Sequence, residues 1–169
     1  MSIDTTDVMS NNDGHHDMAH LDGDLIEYIT VHVGEQLFGI PVTVVQDVFE
    51  VQRMTTVPLS APEVRGVLNL RGRIVTAIDM RVRLGLPVPD DDTSRMAVGV
   101  EENGEAFGLM VDSVGEVLSL AAQDVERTPA NLDPRWHQVA CGVHRLENDL
   151  MVVLDVTKAL DMQSTANAA

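Results

Sequence analysis

The sequence predicts an all-β protein made of two small five-stranded antiparallel barrels in tandem, with short helices, produced by internal duplication of one unit. Three observations lead there: an aliphatic core, turn signals at short intervals, and a repeat. Apolar residues make up 44% of the 169-residue chain while aromatics make up only 3%. The core must therefore be built from Val, Leu, Ile and Met, and β-branched Val favours strands over helices.

Residues 1–24 are polar, acidic and aperiodic and read as a disordered tail, as do residues 163–169. From Leu25 onward, short apolar runs alternate with turn residues. Ile29 to Val33 alternates, Gly34-Glu35 turns the chain, and Leu37 to Ile40 returns it as a hairpin. Gly66 to Leu70 and Ile74 to Ile78, joined through Arg71-Gly72, form a second, with Val67 expected on its buried face. Met96 to Val100 and Ala106 to Val111 flank Asn103-Gly104, the dipeptide best suited to a turn in which both central residues need positive φ. Val143 to Leu146 and Leu150 to Leu154 flank Glu147-Asn148-Asp149 as a fourth. The helices are short. Asp79 is placed to cap Met80 to Leu84, ended by Gly85 and Pro87, and Asp155 to cap Val156 to Met162. One helical turn is expected near Val42 to Val45, after Pro41.

The halves resemble each other. Phe38-Gly39-Ile40 returns as Phe107-Gly108-Leu109 and Asp47-Val48 as Glu116-Val117, both at a spacing of 69. Gly66-Val67 returns as Gly142-Val143, Leu70 as Leu146, and Ile78-Asp79 as Leu154-Asp155, all at a spacing of 76. The change in spacing requires seven extra residues in the second copy, and 132–138 is the natural place for them. Each copy holds about five short strands, and so small a sheet protects its edges best by curling shut. The expected division is a first barrel at 25–88, a linker at 89–93 and a second barrel at 94–162, with the terminal helix or Leu25 to Glu27 crossing back to tie them together.

Charge narrows the partners. The net charge is −16, and residues 1–24 carry six acids without a Lys or Arg. Residues 25–88 balance six Arg against six acids, whereas 94–162 hold five basic groups against twelve acids. Nucleic acid needs a basic face and is an unsuitable ligand. The cations gather between Arg65 and Arg83, so a surface for an acidic partner is expected there. No apolar run approaches the roughly 18 residues a membrane helix requires. The first residues lack a secretory pattern and the single Cys141 precludes an intramolecular disulfide, so the expectation is a soluble cytoplasmic protein.

Gln46-Asp47-Val48, Pro58, Pro62, Gly66 to Gly72 (GVLNLRG) and Ile78-Asp79-Met80-Arg81 resemble the CheW domain. In the second half, Phe107 to Asp112, Val114 to Leu120 and Gly142 to Asp155 continue the resemblance, which covers about residues 25–162. It implies two SH3-like five-stranded barrels. The family occurs as a free adaptor and as the regulatory domain of the chemotaxis kinase CheA; lacking phosphotransfer and ATP-binding segments, this chain resembles the free adaptor. The implied function is non-catalytic coupling of the cytoplasmic tips of methyl-accepting chemoreceptors to the CheA regulatory domain. The implied adaptor is monomeric when free and is recruited to membrane-associated receptor arrays without inserting into the membrane. Receptor contact is carried over to Val45, Asp47, Val48, Gly66, Asn69, Arg71 and Gly72, and kinase contact to Val111, Val114 and Val117. The receptor is expected to lay an apolar stripe in a groove at the junction of the barrels. Arg71 is expected either to pair with Asp47, whose side chain is one methylene shorter than the Glu frequent in the family, or to reach an acidic group on the receptor. A bridging water would then complete the pair.

Other chemistries have little to stand on. Asp13, His15, His16, Asp17, His20 and Asp22 are metal-capable, but nothing in the flanking sequence organises a shell, and no metal or cofactor site is expected. Cys141 and His144 are three apart, on opposite faces of a strand, and no third group orients a base. Asp90 to Asp92 lack the Gly and distal Glu of a calcium loop. The alternatives are the same fold in a non-flagellar chemosensory pathway, or a metal-responsive regulator using the His-bearing tail.

Overall fold

In a computed structural model of the chain, residues 24–89 and 95–161 are described. The tails expected at 1–24 and 163–169 and the linker at 89–93 fall almost wholly outside them. The described residues form ten strands: β1 (Leu25–Val33), β2 (Gln36–Pro41), β3 (Val45–Val51), β4 (Val64–Leu70), β5 (Arg73–Asp79), β6 (Arg95–Glu102), β7 (Glu105–Val111), β8 (Ser113–Ala121), β9 (Ala140–Arg145) and β10 (Leu150–Leu154). Three short helices join them: α1 (Met80–Arg83), α2 (Pro134–His137) and α3 (Val156–Leu160). Each starts where an aspartate side chain accepts a backbone N–H of the first turn, from Asp79, Asp133 and Asp155 respectively. The single turn expected near Val42 is a 3-10 turn at Val42–Val44. The seven-residue insertion holds α2.

The strands assemble into two five-stranded sheets, ordered β8-β1-β2-β10-β9 (sheet I) and β3-β6-β7-β5-β4 (sheet II). Neither sheet is one half of the chain. The expected division at 89–93 separates the repeats but not the sheets, because each repeat lends its first hairpin to the other's sheet. Hairpin β1–β2 pairs with β8 and β10, and hairpin β6–β7 pairs with β3 and β5. The loan also makes one pair in each sheet parallel, β2 with β10 and β5 with β7, while the rest are antiparallel. The duplication is kept to the residue. Phe38 lies opposite Val152 as Phe107 lies opposite Thr76, and Val31 faces Val114 as Val100 faces Val45.

Each sheet closes on itself through one isolated bridge. The chain leaving β3 pairs Thr55 with Val67 of β4, and the chain leaving β8 pairs Glu126 with Val143 of β9. Gly66 and Gly142 permit these crossings. A Cβ on Gly66 would stand 2.5 Å from the Thr55 carbonyl oxygen, and one on Gly142 2.6 Å from Val125 and 2.9 Å from the Glu126 carbonyl oxygen. Val67, expected on a buried face, is only half-buried beside this bridge.

One continuous core, including Val31, Phe38, Ile40, Ile78, Val98, Leu109, Val143 and Val152, draws on both sheets. Burial of this aliphatic surface is the main stabilising term. Helix α1 adds polar ties. Arg83, itself buried, donates to the carbonyls of Ala159 (3.1 Å) and Lys158 (3.2 Å) at the end of α3. The Lys158 carbonyl also takes the Asp161 N–H at 3.2 Å, and Arg83 adds to that cap, so α1 of one repeat helps cap α3 of the other.

A charged chain runs along sheet II. Asp79 is fully buried and receives Arg95 through both terminal nitrogens, at 2.8 and 3.1 Å, and the Arg81 backbone N–H at 2.9 Å. Arg81 in turn clasps Asp112 with Nε and Nη2 at 2.8 and 2.7 Å. Burial by itself would raise the Asp112 carboxyl, but Arg81, the Gly34 N–H and the charge of Arg95 hold it below the ordinary carboxylate range.

Candidate functional site

Sheet II carries a groove of about 250 Å³. Its walls come from four strands: Gln46, Asp47 and Phe49 of β3, Val75 of β5, Gly99 and Val100 of β6, and Ala106 and Phe107 of β7. Leu70, Arg71 and Arg73 close one end from the β4–β5 hairpin. Both repeats build it, but it lies within one sheet, not at a junction between two separate barrels as expected.

The floor is flat because Gly99 and Gly108 are cross-strand neighbours. A Cβ on Gly108 would lie 3.0 Å from the Phe49 ring and one on Gly99 3.5 Å from it, so the ring rests across both glycines. Beside it the Asp47 carboxylate accepts from Arg71 Nη1 at 3.3 Å, a direct contact that needs no bridging water. Asp47 is largely sheltered, whereas Arg71 is 78% exposed.

Arg71 reaches this place at a cost. It has φ of 54° and Gly72 has φ of 80°, the left-handed pair of a tight hairpin turn, repeated by Asn103 and Gly104 at 52° and 80°. Asn suits that conformation; a long cation placed there costs about 1–2 kcal/mol. Asn69 holds the turn by accepting the Gly72 N–H at 2.9 Å. The strain is carried by one exposed charged side chain and held by its neighbours in the turn.

Asp47, Arg71, Asn69 and Gly72 thus come together, Asn69 and Gly72 as the frame of the turn. Val45 and Val48 are half-buried and pack on the main core. Gly66 is buried and serves the Thr55 crossing, so it offers no surface. The residues assigned to the kinase do not form one surface. Val111 is 1% exposed on β7, an interior strand of sheet II with its side chain in the core, and a direct contact there is withdrawn. Val114 is half-buried against the core, and only Val117, 51% exposed on edge strand β8 of sheet I, is free to meet a partner.

Sequence reasoning missed Phe49, Gly99 and Ala106, though each has a counterpart in the other repeat that would have shown a change of size. Among the described residues no group of three His, Cys, Asp or Glu side chains is placed to hold a metal ion. The His-bearing segment lies outside the described residues. Cys141 is exposed and its thiol is pushed up, first by partial burial and then by Asp155, away from nucleophilic use. No helix among the described residues is long and apolar enough to cross a membrane.

The CheW-like domain family matches residues 27–164, the span of both sheets. The chain belongs to the CheW-like domain family. It is 26% identical over 140 residues to the chemotaxis protein CheW of Klebsiella aerogenes, covering 83% of this chain and 84% of that one. To the chemotaxis protein CheW of Bacillus subtilis it is 29% identical over 140 residues, covering 83% and 90%. In fold it is similar to the crystal structure of the scaffolding protein TtCheW from Thermoanaerobacter tengcongensis. That match has a TM-score of 0.69 at 23% identity, over 77% of this chain and 88% of the other.

Proposed function

We propose that the chain is a non-catalytic adaptor that couples the cytoplasmic tips of chemoreceptors to the histidine kinase CheA in a bacterial chemotaxis array. The observation that carries the reading is the groove of sheet II, with the Asp47–Arg71 pair held at its rim by a strained hairpin turn. A receptor tip is a helical hairpin, and an amphipathic helix seats its apolar anchors in a groove of this kind. Phe49, Leu70, Val75, Val100 and Phe107 supply the apolar lining, and Asp47 with Arg71 fixes the direction of approach. Kinase contact is assigned to edge strand β8 around Val117 and the half-buried Val114. The two partners then meet different sheets and bind at once, and the receptor brings the adaptor to the membrane-bound array.

The test is capture of a soluble chemoreceptor tip and of the CheA regulatory domain by wild-type protein and by Arg71→Ala. Receptor capture weakens by roughly fivefold, the scale of a partly exposed ion pair, while kinase capture is unchanged. Equal loss of both partners by a folded variant would overturn the placement of the receptor in this groove.

A further inference from the structure

The two repeats differ where the groove lies. Phe107 and Phe38 are equivalent, as are Val100 and Val31, so Gly99 in sheet II stands where Thr30 stands in sheet I. Thr30 is buried, and its hydroxyl donates to the Glu116 carbonyl oxygen at 2.7 Å. Glu116, the counterpart of Asp47, is left exposed. In sheet II the space above β6 is taken instead by Asp47 itself. A Cβ on Gly99 would fall 2.3 Å from Asp47 Oδ1, while the next atoms, the Asp47 carbonyl oxygen and the Phe49 ring, stand at 3.4 and 3.5 Å. One methyl group at this position therefore meets a single close obstacle, the carboxylate that pairs with Arg71.

From this we infer that Gly99 is a positioning residue for the partner-binding groove: its missing side chain lets the Asp47 carboxylate lie across β6 within reach of Arg71. The bulge between β3 and β6 brings Asp47 opposite Gly99 and sets the carboxylate at that height. Because Oδ1 is the end of a rotatable side chain, Gly99→Ala is relieved by swinging the carboxylate away. The strands keep their pairing and the groove loses its ion pair. Gly99 touches no partner in this scheme; it acts through Asp47.

The inference rests on the reading of the groove as the receptor site, and a double-mutant cycle separates the two. Binding of a soluble chemoreceptor tip is measured for wild type, Asp47→Ala, Gly99→Ala and the double variant, with thermal melts of each. Both single variants weaken binding by about fivefold, the scale of a partly exposed ion pair, and the double variant is no weaker than either. If Gly99→Ala melts well below wild type, adding Asp47→Ala restores the melt, because the obstacle is gone; failure to restore it overturns the inference. Asp47→Ala binding as tightly as wild type removes the receptor reading and the inference with it. Loss in Asp47→Ala with none in Gly99→Ala, or losses that multiply in the double variant, overturns the role of Gly99 and leaves the receptor reading standing.

Discussion

Sheet I and sheet II have the same strand order, the same registers and the same closing bridges, yet one is filled and the other is open. In sheet I, Tyr28, Leu37, Met151 and Val153 make a compact second core with Ile26, Leu118, Leu120 and Leu146 around it. The equivalent positions in sheet II are Ala97, Ala106, Val75 and Ala77, all smaller, and the corresponding core relies on Met110, Val51 and Phe49 instead. Two of those smaller side chains, Val75 and Ala106, line the groove. The rim changes sign as well: Asp47 and Arg71 correspond to Glu116 and Glu147, both acidic. A groove thus arises on a symmetric scaffold from changes of side-chain size under one sheet, with the backbone pairing left alone.

The largest expected effect comes from breaking the buried charge that only sheet II carries. Arg95→Ala strands the Asp79 carboxylate without its main partner, and chemical denaturation should show a loss of about 3–5 kcal/mol. In sheet I, Ile26 holds the place of Arg95, and Asp155, which holds that of Asp79, is only half-buried. A loss under about 1 kcal/mol in Arg95→Ala would mean that water reaches Asp79 and that the sheets differ less than their burial implies.

A smaller effect, of opposite sign, is expected at the hairpin turn. Arg71→Asn gives the left-handed position a residue that suits it and should raise stability by roughly 0.5–1 kcal/mol while receptor binding falls. A variant that is neither more stable nor weaker in binding would deny that the strain serves the groove.

The third effect belongs to sheet I. His144 is buried against the Tyr28 ring, with centroids 5.5 Å apart, and its Nε2 has no partner. Burial lowers its pKa, opposed by the negative charges of Asp124 and Glu126. The neutral ring is favoured in the fold, so its contribution is fully present above the unfolded value of about 6.5 and is lost as pH falls through the lowered folded value. Melting temperature should therefore drop on acidification below about pH 6.5. His144→Leu, which copies Leu68 of sheet II, should remove that part of the slope. An unchanged slope would place the acid sensitivity elsewhere.

Much of this was legible in the sequence, and the reason is local. Eight of the ten strands announce themselves as hairpins, because a tight turn and its flanking alternation sit within a dozen residues. The paired aspartate caps at Asp79 and Asp155 are local for the same reason. Strands β3 and β8 are edge strands interrupted by bulges, with mixed burial, and no turn residue marks their limits. Helix α2 was missed inside an insertion that was correctly located, although Asp133-Pro134 is a good start signal. Of the exchange of hairpins only one end was legible: Leu25 to Glu27, expected to cross back, do pair with Ala121 to Ser119 of the other repeat. A hairpin specifies its own two strands, while the choice of a third partner rests on packing between residues far apart in the chain. The pairing of Asp47 with Arg71 follows from family position, though not its directness, and the groove beside it shows only on asking which residues change size between the repeats.

The loan of hairpins has a mechanical consequence. A protein whose two sheets were separate halves would be joined by one covalent thread, and tension between its partners would fall on that thread. Here a pull on one sheet against the other must shear the ladders β1–β8 and β2–β10, or β3–β6 and β5–β7, because each repeat is anchored in both. Cutting the backbone between residues 89 and 95 would leave two chains still clasped, like linked fingers. A scaffold woven in this way passes displacement from one sheet to the other without stretching.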